Sequence, residues 1–201
     1  MKIIITRHGQ TDQNQQNITQ GQGVDSLLNE TGVCQAKKLA ERLKTEKIDV
    51  IYASDLKRAL HTAQEVLRFH PSAQIVPTPH LRERNLGAYE GRSHKEYQEL
   101  KEKSPLPFHD FKPEGGESYG ELYHRVGTFL DTILEKHRNN TVLFVSHGAV
   151  STVLLLKLLG KPLTSENYSA HKPSNAALTM LEISGNKKVT VVALNSTHHL
   201  D

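Results

Sequence analysis

Short apolar segments alternate with amphipathic helical patterns along most of this chain. Residues 2–6 predict a first strand, residues 29–46 carry apolar side chains at helical spacing, and residues 49–53 predict a second strand. The order continues with predicted helices at 55–69, 117–137 and 149–159 and predicted strands at 74–77 and Thr141–Ser146. Because strands that alternate with helices pair in parallel, we expect an α/β three-layer sandwich, with a mainly parallel central sheet flanked by helices.

The last part of the chain carries two further β-rich segments, at residues 176–183 and 188–195, separated by a short polar turn. Segments joined so closely pair as an antiparallel hairpin, so we expect an antiparallel edge strand. Residues 79–118 are rich in proline and glycine and hold one short amphipathic helix near 93–103. We therefore expect a single domain over residues 1–201, with a loop-rich insertion at about 79–118 that contributes to a binding site.

Composition narrows the class of protein. The formal net charge is +3, and basic side chains are interspersed with acidic ones, which argues against a nucleic-acid partner. No apolar run approaches the roughly 20 residues that cross a bilayer, and the N-terminal segment lacks the features of a signal peptide. Cys34 is the only cysteine, and the twelve histidines show no zinc-binding spacing. We expect a cytoplasmic protein with no membrane partner and no metal.

Groups of polar residues follow four of the predicted strands, where ligands collect in open α/β sheets. In chain order they are Arg7-His8-Gly9, Ser54-Asp55-Leu56-Lys57-Arg58, Leu81-Arg82-Glu83-Arg84 and Ser146-His147-Gly148. Alone, the first group also fits a strand end with two solvated polar side chains. Two His-Gly pairs with an arginine and a glutamate between them instead predict a phosphate site beside a possible nucleophile. We expect Gly9 to let the backbone approach a ligand closely.

The motifs, taken together, resemble the histidine phosphatase superfamily, in its phosphoglycerate mutase-like branch. They span most of the chain in the order that the family has. In this sequence they comprise Arg7-His8-Gly9-Gln10-Thr11 with Asn14, residues 21–32, 53–63 and 81–91, Gly115-Gly116-Glu117-Ser118, and Val145-Ser146-His147-Gly148. The resemblance implies the sandwich fold and an enzyme that breaks phosphate esters.

The resemblance also implies the functional residues. Its catalytic residues correspond to Arg7, His8, Arg58, Glu83 and His147. Its substrate-binding residues correspond to Arg7, Asn14, Gln20, Gly21, Arg58, His147 and Gly148. It implies no cofactor, and a small phosphorylated metabolite as the partner.

The chemistry of a phosphate monoester explains why these residue types are needed. Arg7 and Arg58 neutralise a dianion that would otherwise repel a nucleophile. His8 must be neutral to attack phosphorus, and its other ring nitrogen donates a hydrogen bond that fixes the tautomer. Glu83 protonates the leaving alkoxide and later accepts a proton from the water that hydrolyses the phosphohistidine. His147, at a helix N-terminus, is expected to donate to the phosphoryl oxygens.

The reaction itself has more than one interpretation. The family's glycolytic mutases carry extra Arg and Lys residues for the substrate carboxylate, with an Arg-Arg and proline-rich segment in the middle insertion. Residues 103–113, the corresponding stretch, contain no arginine. We therefore favour a metal-independent phosphomonoester hydrolase that acts through a phosphohistidine intermediate. A phosphoglycerate mutase is the alternative, and a non-catalytic phosphoester-binding module is a second one. Residues 14–28 and 84–117 are expected to wall the pocket.

Overall fold

The computed structural model describes residues 1–186 and 188–201, and six strands in this part of the chain form one sheet. The strands are β1 Lys2–Arg7, β2 Val50–Ser54, β3 Ile75–Thr78, β4 Thr141–Ser146, β5 Leu178–Ile183 and β6 Val189–Ser196. Their order across the sheet is β3-β2-β4-β1-β5-β6. The first four in the order pair in parallel, and β5 and β6 are antiparallel to their neighbours. The predicted fold class, including the antiparallel edge, is confirmed.

Seven α-helices connect these strands within the described residues. They are α1 Asp12–Gln15, α2 Glu30–Leu43, α3 Lys57–Leu67, α4 His94–Lys103, α5 Tyr119–Lys136, α6 Gly148–Leu158 and α7 Ser165–Ala170. The helix α4 is the one expected inside the insertion. Two short helices, α1 and α7, were absent from the sequence prediction. The first is held by a capping box in which the side chains of Thr11 and Asn14 each accept a backbone N–H of the other residue.

The helices lie in two layers because successive strand residues point to opposite faces of the sheet. In β1, Ile3 and Ile5 belong to the core beneath α5 and α6, whereas Ile4 belongs to the core beneath α2 and α3. The residues of β2 and β4 are buried throughout, as expected for parallel strands covered on both faces. No helix among the described residues is long and apolar enough to cross a membrane.

The sheet brings the ends of β1 and β4 together. The two strands are parallel neighbours in which Arg7 lies opposite Ser146, and the His8 N–H donates to the Ser146 carbonyl at 2.9 Å. Gly9 then meets the start of α2, where an added Cβ would collide with the carbonyl oxygen of Gly32. The Gly32 backbone alone is enough to require a glycine here, and the close approach of a ligand to Gly9 stays a prediction.

Candidate active site

A cavity of about 320 Å³ opens at the carboxyl ends of the parallel strands. Eight of the nine residues predicted from the sequence line it: Arg7, His8, Asn14, Gln20, Gly21, Arg58, Glu83 and Gly148. The ninth, His147, is fully buried behind this wall, and its ring centre lies 5.1 Å from that of His8 in an edge-on arrangement. The insertion contributes further lining residues from α4, as expected.

The His8 imidazole is fixed in one tautomer. Its Nδ1 lies 2.7 Å from the Gly9 carbonyl oxygen, and because a carbonyl only accepts, Nδ1 must carry the proton. The lone pair is therefore on Nε2. Burial lowers the pKa of His8 well below its usual range, and the charges of Arg58 and Arg7 lower it further. The ring is neutral at physiological pH, which is the form that a nucleophile requires.

Two guanidinium groups flank His8. Arg7 donates from Nη1 to the Pro173 carbonyl at 3.1 Å, while its Nε is buried without a hydrogen-bond partner in the described residues. Arg58 donates to the carbonyl oxygens of Gly21 and Val24 at 2.9 and 3.0 Å. Burial lowers the pKa of Arg58 to about 10, so both groups remain charged at neutral pH. Each terminal nitrogen of Arg58 retains one N–H for an anion.

His147 makes contact through both ring nitrogens. Its Nδ1 accepts from Nε of Arg58 at 3.2 Å, and its Nε2 lies 2.8 Å from Oγ of Ser54. Burial lowers the pKa of His147 well below its usual range, with Arg58 adding to the effect. A neutral ring that accepts at Nδ1 carries its proton on Nε2, so Ser54 accepts that proton. For His147 to donate to a phosphoryl oxygen, as expected from the sequence, one of these two hydrogen bonds must break so that a ring N–H becomes free.

Glu83 reaches the pocket from the loop after β3. Its Oε1 accepts the Arg84 N–H at 2.8 Å and the Ala149 N–H, in the first turn of α6, at 3.2 Å. These contacts hold the carboxyl beside Gly148, where an added Cβ would lie 3.7 Å from Oε2 of Glu83 and 3.8 Å from Nε of Arg7. The carboxyl group and the arginine thus lie on the same side of the cavity. Their charges act on each other, because Glu83 raises the pKa of Arg7 against the effect of burial.

The remaining predicted residues hold the loops around the pocket in place, two through side-chain hydrogen bonds and one through its backbone. Asn14 accepts at Oδ1 from the side-chain amide of Asn175 at 3.0 Å, which ties the loop after β1 to the loop before β5. The buried Gln20 accepts from the Ser26 hydroxyl at 2.6 Å. Gly21 has a φ of +54°, a conformation that favours glycine, and its carbonyl accepts from Arg58.

Sequence reasoning missed some of the residues that complete the site. Ser54 belongs to a quoted motif, but nothing in the sequence indicates that its hydroxyl meets His147. Thr62 accepts the Gly9 N–H at 3.1 Å and donates to the carbonyl of Arg58, one turn earlier in α3, at 2.8 Å. It therefore ties the loop after β1 to the helix that carries Arg58. Two lysines, Lys101 and Lys172, also line the cavity. No spacing signal marks them, since they lie far apart in the chain.

Comparison with known proteins shows which family this chain belongs to. A family model described as the histidine phosphatase superfamily (branch 1) matches residues 3–197. The metal-independent phosphoserine phosphatase of Arabidopsis thaliana is 33% identical over 192 residues, which cover 92% of this chain and 78% of that protein. Phosphoserine phosphatase 1 of Hydrogenobacter thermophilus is 32% identical over 207 residues, covering 100% and 94%.

A solved structure agrees with these sequence matches. Phosphoserine phosphatase from Entamoeba histolytica, in complex with 3-phosphoglyceric acid, superposes with a TM-score of 0.82 and 28% identity, covering 99% of this chain and 98% of that one. The fold and the matches define a phosphatase, as the sequence predicted. The chain belongs to the histidine phosphatase superfamily, so the resemblance stated from its motifs is confirmed.

Proposed function

We propose that residues 1–201 form one catalytic domain that hydrolyses small phosphorylated metabolites through a phosphohistidine at His8. The observation that carries this proposal is the state of His8: its Nδ1 donates to the Gly9 carbonyl, so a neutral Nε2 is left for attack. Arg7 and Arg58, charged and largely buried beside it, supply the electrostatic stabilisation that a transferring phosphoryl group needs. The chain has a single cysteine and so needs no oxidising compartment for an internal disulfide, and we propose that it acts in the cytoplasm.

The reaction proceeds in two balanced steps. Nε2 of His8 forms a bond to phosphorus while the bond from phosphorus to the ester oxygen breaks, and the Glu83 carboxylic acid gives its proton to the leaving alkoxide. Water then attacks the phosphohistidine and loses a proton to the Glu83 carboxylate. The phosphorus–nitrogen bond breaks, inorganic phosphate leaves, and neutral His8 is restored. No metal takes part in either step.

The substrate class follows from the size of the site and from the relatives. A cavity of about 320 Å³ accepts a small phosphomonoester more readily than a macromolecule. The relatives named above are phosphoserine phosphatases, and one was solved with 3-phosphoglyceric acid. We propose a metabolite of that size as the substrate of this chain.

The test is hydrolysis of p-nitrophenyl phosphate in excess chelator by the wild-type protein and by His8→Ala. We expect wild-type turnover with chelator present and a loss of at least about 10⁴-fold on removing the nucleophile. His124→Ala, an exposed position on α5, is the matched control and should keep full activity. Equal phenolate release by the wild-type protein and His8→Ala would refute the mechanism. A coupled assay with 3-phosphoglycerate and bisphosphoglycerate separates a mutase, which would interconvert the isomers faster than it releases phosphate.

A further inference from the structure

The cavity carries positive charge, in addition to the two arginines, that the proposed hydrolysis does not use. Lys101 projects from α4, and Lys172 follows α7; both line the same cavity as Arg7 and His8. Neither lysine forms an ion pair within residues 1–186 and 188–201. By contrast, Lys95 and Lys103, on the outer face of the same helix, each lie 3.9 Å from a carboxylate oxygen of Glu99.

The two ammonium groups are close enough to act on each other and on the catalytic charges. Burial lowers the pKa of Lys172, with Arg7 and Lys101 adding to the effect and Glu83 opposing it. The neighbouring His94 has a lowered pKa, caused first by burial and then by Lys172 and Lys101. This end of the cavity is therefore a concentration of positive charge, and Glu83, the acid opposing it, already has a part in the proposed reaction.

Aromatic rings fix where Lys101 can place its charge. Its Nζ lies 4.9 Å from the ring centre of Phe108 and 5.5 Å from that of Tyr119. These cation–π contacts hold the ammonium group at the cavity without neutralising it. Tyr97, Tyr119 and Tyr168 also line the cavity, and their rings can pack against the organic part of a substrate.

A count of charges shows that two ammonium groups in the cavity have no anionic partner. The phosphate dianion of a substrate is matched by the guanidinium groups of Arg7 and Arg58. Arg84 also lines the cavity, but it already donates to the Glu117 carbonyl and the Tyr97 hydroxyl, so the ammonium groups of Lys101 and Lys172 are left over. A substrate with a neutral tail would leave both ammonium groups without a counter-ion beside it. The cost of lost water would fall mainly on the half-buried Lys101, since Lys172 is the more exposed of the two. We propose that Lys101 and Lys172 form a second anion subsite, which binds a carboxylate or a second phosphate on the substrate. The inference rests on the proposed function.

The first test uses the wild-type protein and two substrates that differ in one group. In 3-phosphoglycerate a carboxylate replaces the terminal hydroxymethyl group of glycerol 3-phosphate. We expect kcat/KM to be higher for 3-phosphoglycerate by about tenfold or more, because a charge-assisted contact is worth about that factor. Glycerol 1,3-bisphosphate shows whether a second phosphate is preferred to a carboxylate. If glycerol 3-phosphate is hydrolysed as well as both doubly anionic compounds, the subsite does not exist.

The second test removes the charge of each lysine by substitution. Lys101→Met and Lys172→Met keep the aliphatic stems, and each should lower the ratio of kcat/KM for 3-phosphoglycerate to that for glycerol 3-phosphate by about tenfold. Lys101→Arg, which keeps the charge, should restore most of the ratio. Lys103→Met removes an ammonium group from the outer face of α4 and should leave both substrates unaffected. An unchanged ratio in the double methionine variant overturns the proposal.

A third measurement separates failure of the subsite from failure of the proposed function. If the wild-type protein releases phosphate from none of these compounds or from p-nitrophenyl phosphate, the hydrolase proposal fails. Calorimetric binding to the same protein then compares 3-phosphoglycerate with glycerol 3-phosphate directly. Tighter binding of the carboxylate compound by about tenfold supports the subsite, and equal Kd values refute it.

Discussion

Glu83→Gln tests the role of the carboxyl group as a proton donor with little change of shape. In the wild-type protein Oε1 of Glu83 accepts from the N–H groups of Arg84 and Ala149 at 2.8 and 3.2 Å. An amide oxygen can accept both hydrogen bonds, so the glutamine side chain should keep its place. The substitution removes the acidic proton and leaves Arg7, His8 and the cavity intact.

The size of the effect depends on the leaving group. An alkoxide is a strong base and needs a proton as it departs, so kcat/KM for glycerol 3-phosphate should fall by about 10²- to 10⁴-fold, the usual contribution of a general acid. The nitrophenolate ion is stabilised by its ring and leaves without a proton. For p-nitrophenyl phosphate, kcat/KM should therefore change by less than about tenfold, because this constant reports only the steps up to phosphoryl transfer.

The second half-reaction gives an independent signal. If Glu83 also accepts the proton of the attacking water, Glu83→Gln should hydrolyse its phosphohistidine slowly. Stopped-flow mixing with p-nitrophenyl phosphate should then show a burst of about one nitrophenolate per enzyme, followed by slower turnover. Glu114→Gln, an exposed carboxyl in the same insertion, is the control and should behave as wild type. An equal loss of kcat/KM for both substrates would refute the assignment of Glu83 as the leaving-group acid.

Three further predictions follow from the buried groups of the site. Ser54→Ala removes the partner of Nε2 of His147 and should lower the free energy of unfolding in urea by about 1–3 kcal/mol and kcat by about tenfold; unchanged values of both would contradict the contact. Arg58→Lys keeps the charge but not the three directed hydrogen bonds, so kcat/KM should fall by about 10²- to 10³-fold, whereas full activity would mean that charge alone suffices. The lowered pKa values of His8 and His147 mean that the unfolded chain binds protons below about pH 6.5 that the folded chain does not. Stability should therefore be lost as the pH falls, by at most about 1.4 kcal/mol per pH unit for each ring, and urea unfolding of His147→Gln should show a shallower dependence; an identical slope would contradict the neutral state of His147.

The elements that could be predicted from the sequence are those whose burial repeats along the chain. The strands β2 and β4 are apolar throughout because helices cover both faces, and such runs need no knowledge of their partners. The four-residue α1 and six-residue α7 are too short to show a helical period, and they depend on capping side chains and neighbouring loops. The predicted helix at 29–46 extends past the observed end at Leu43, since the polar residues that follow also fit the exposed face of a helix.

The residues of the site also fall into those that the sequence predicts and those that it cannot. Arg7, His8 and the motif around His147 lie at strand ends, and parallel pairing brings strand ends together whatever the side chains do. Distances across the sheet depend on rotamers, so the position of His147 behind the cavity wall could not be read from its motif. Lys101 and Lys172 are harder still, because they come from α4 and the loop after α7, which meet only in the folded chain.

The hydroxyl of Ser54 gives the buried pair of His147 and Arg58 two possible hydrogen-bonding arrangements. In the structure Arg58 donates to Nδ1 of His147, so the proton lies on Nε2 and Ser54 accepts it. If a phosphate takes the Nε N–H of Arg58 in addition to the two free terminal N–H groups, Nδ1 of His147 loses its donor. Because a hydroxyl both donates and accepts, Ser54 can then donate to Nε2 while it accepts the Leu56 N–H, which lies at 3.3 Å. His147 would carry its proton on Nδ1, where Arg58 had been, and donate it to a phosphoryl oxygen. We therefore expect the donation from His147 to depend on Ser54, and we expect Ser54→Ala to lower kcat because His147 would lose its partner in the second arrangement.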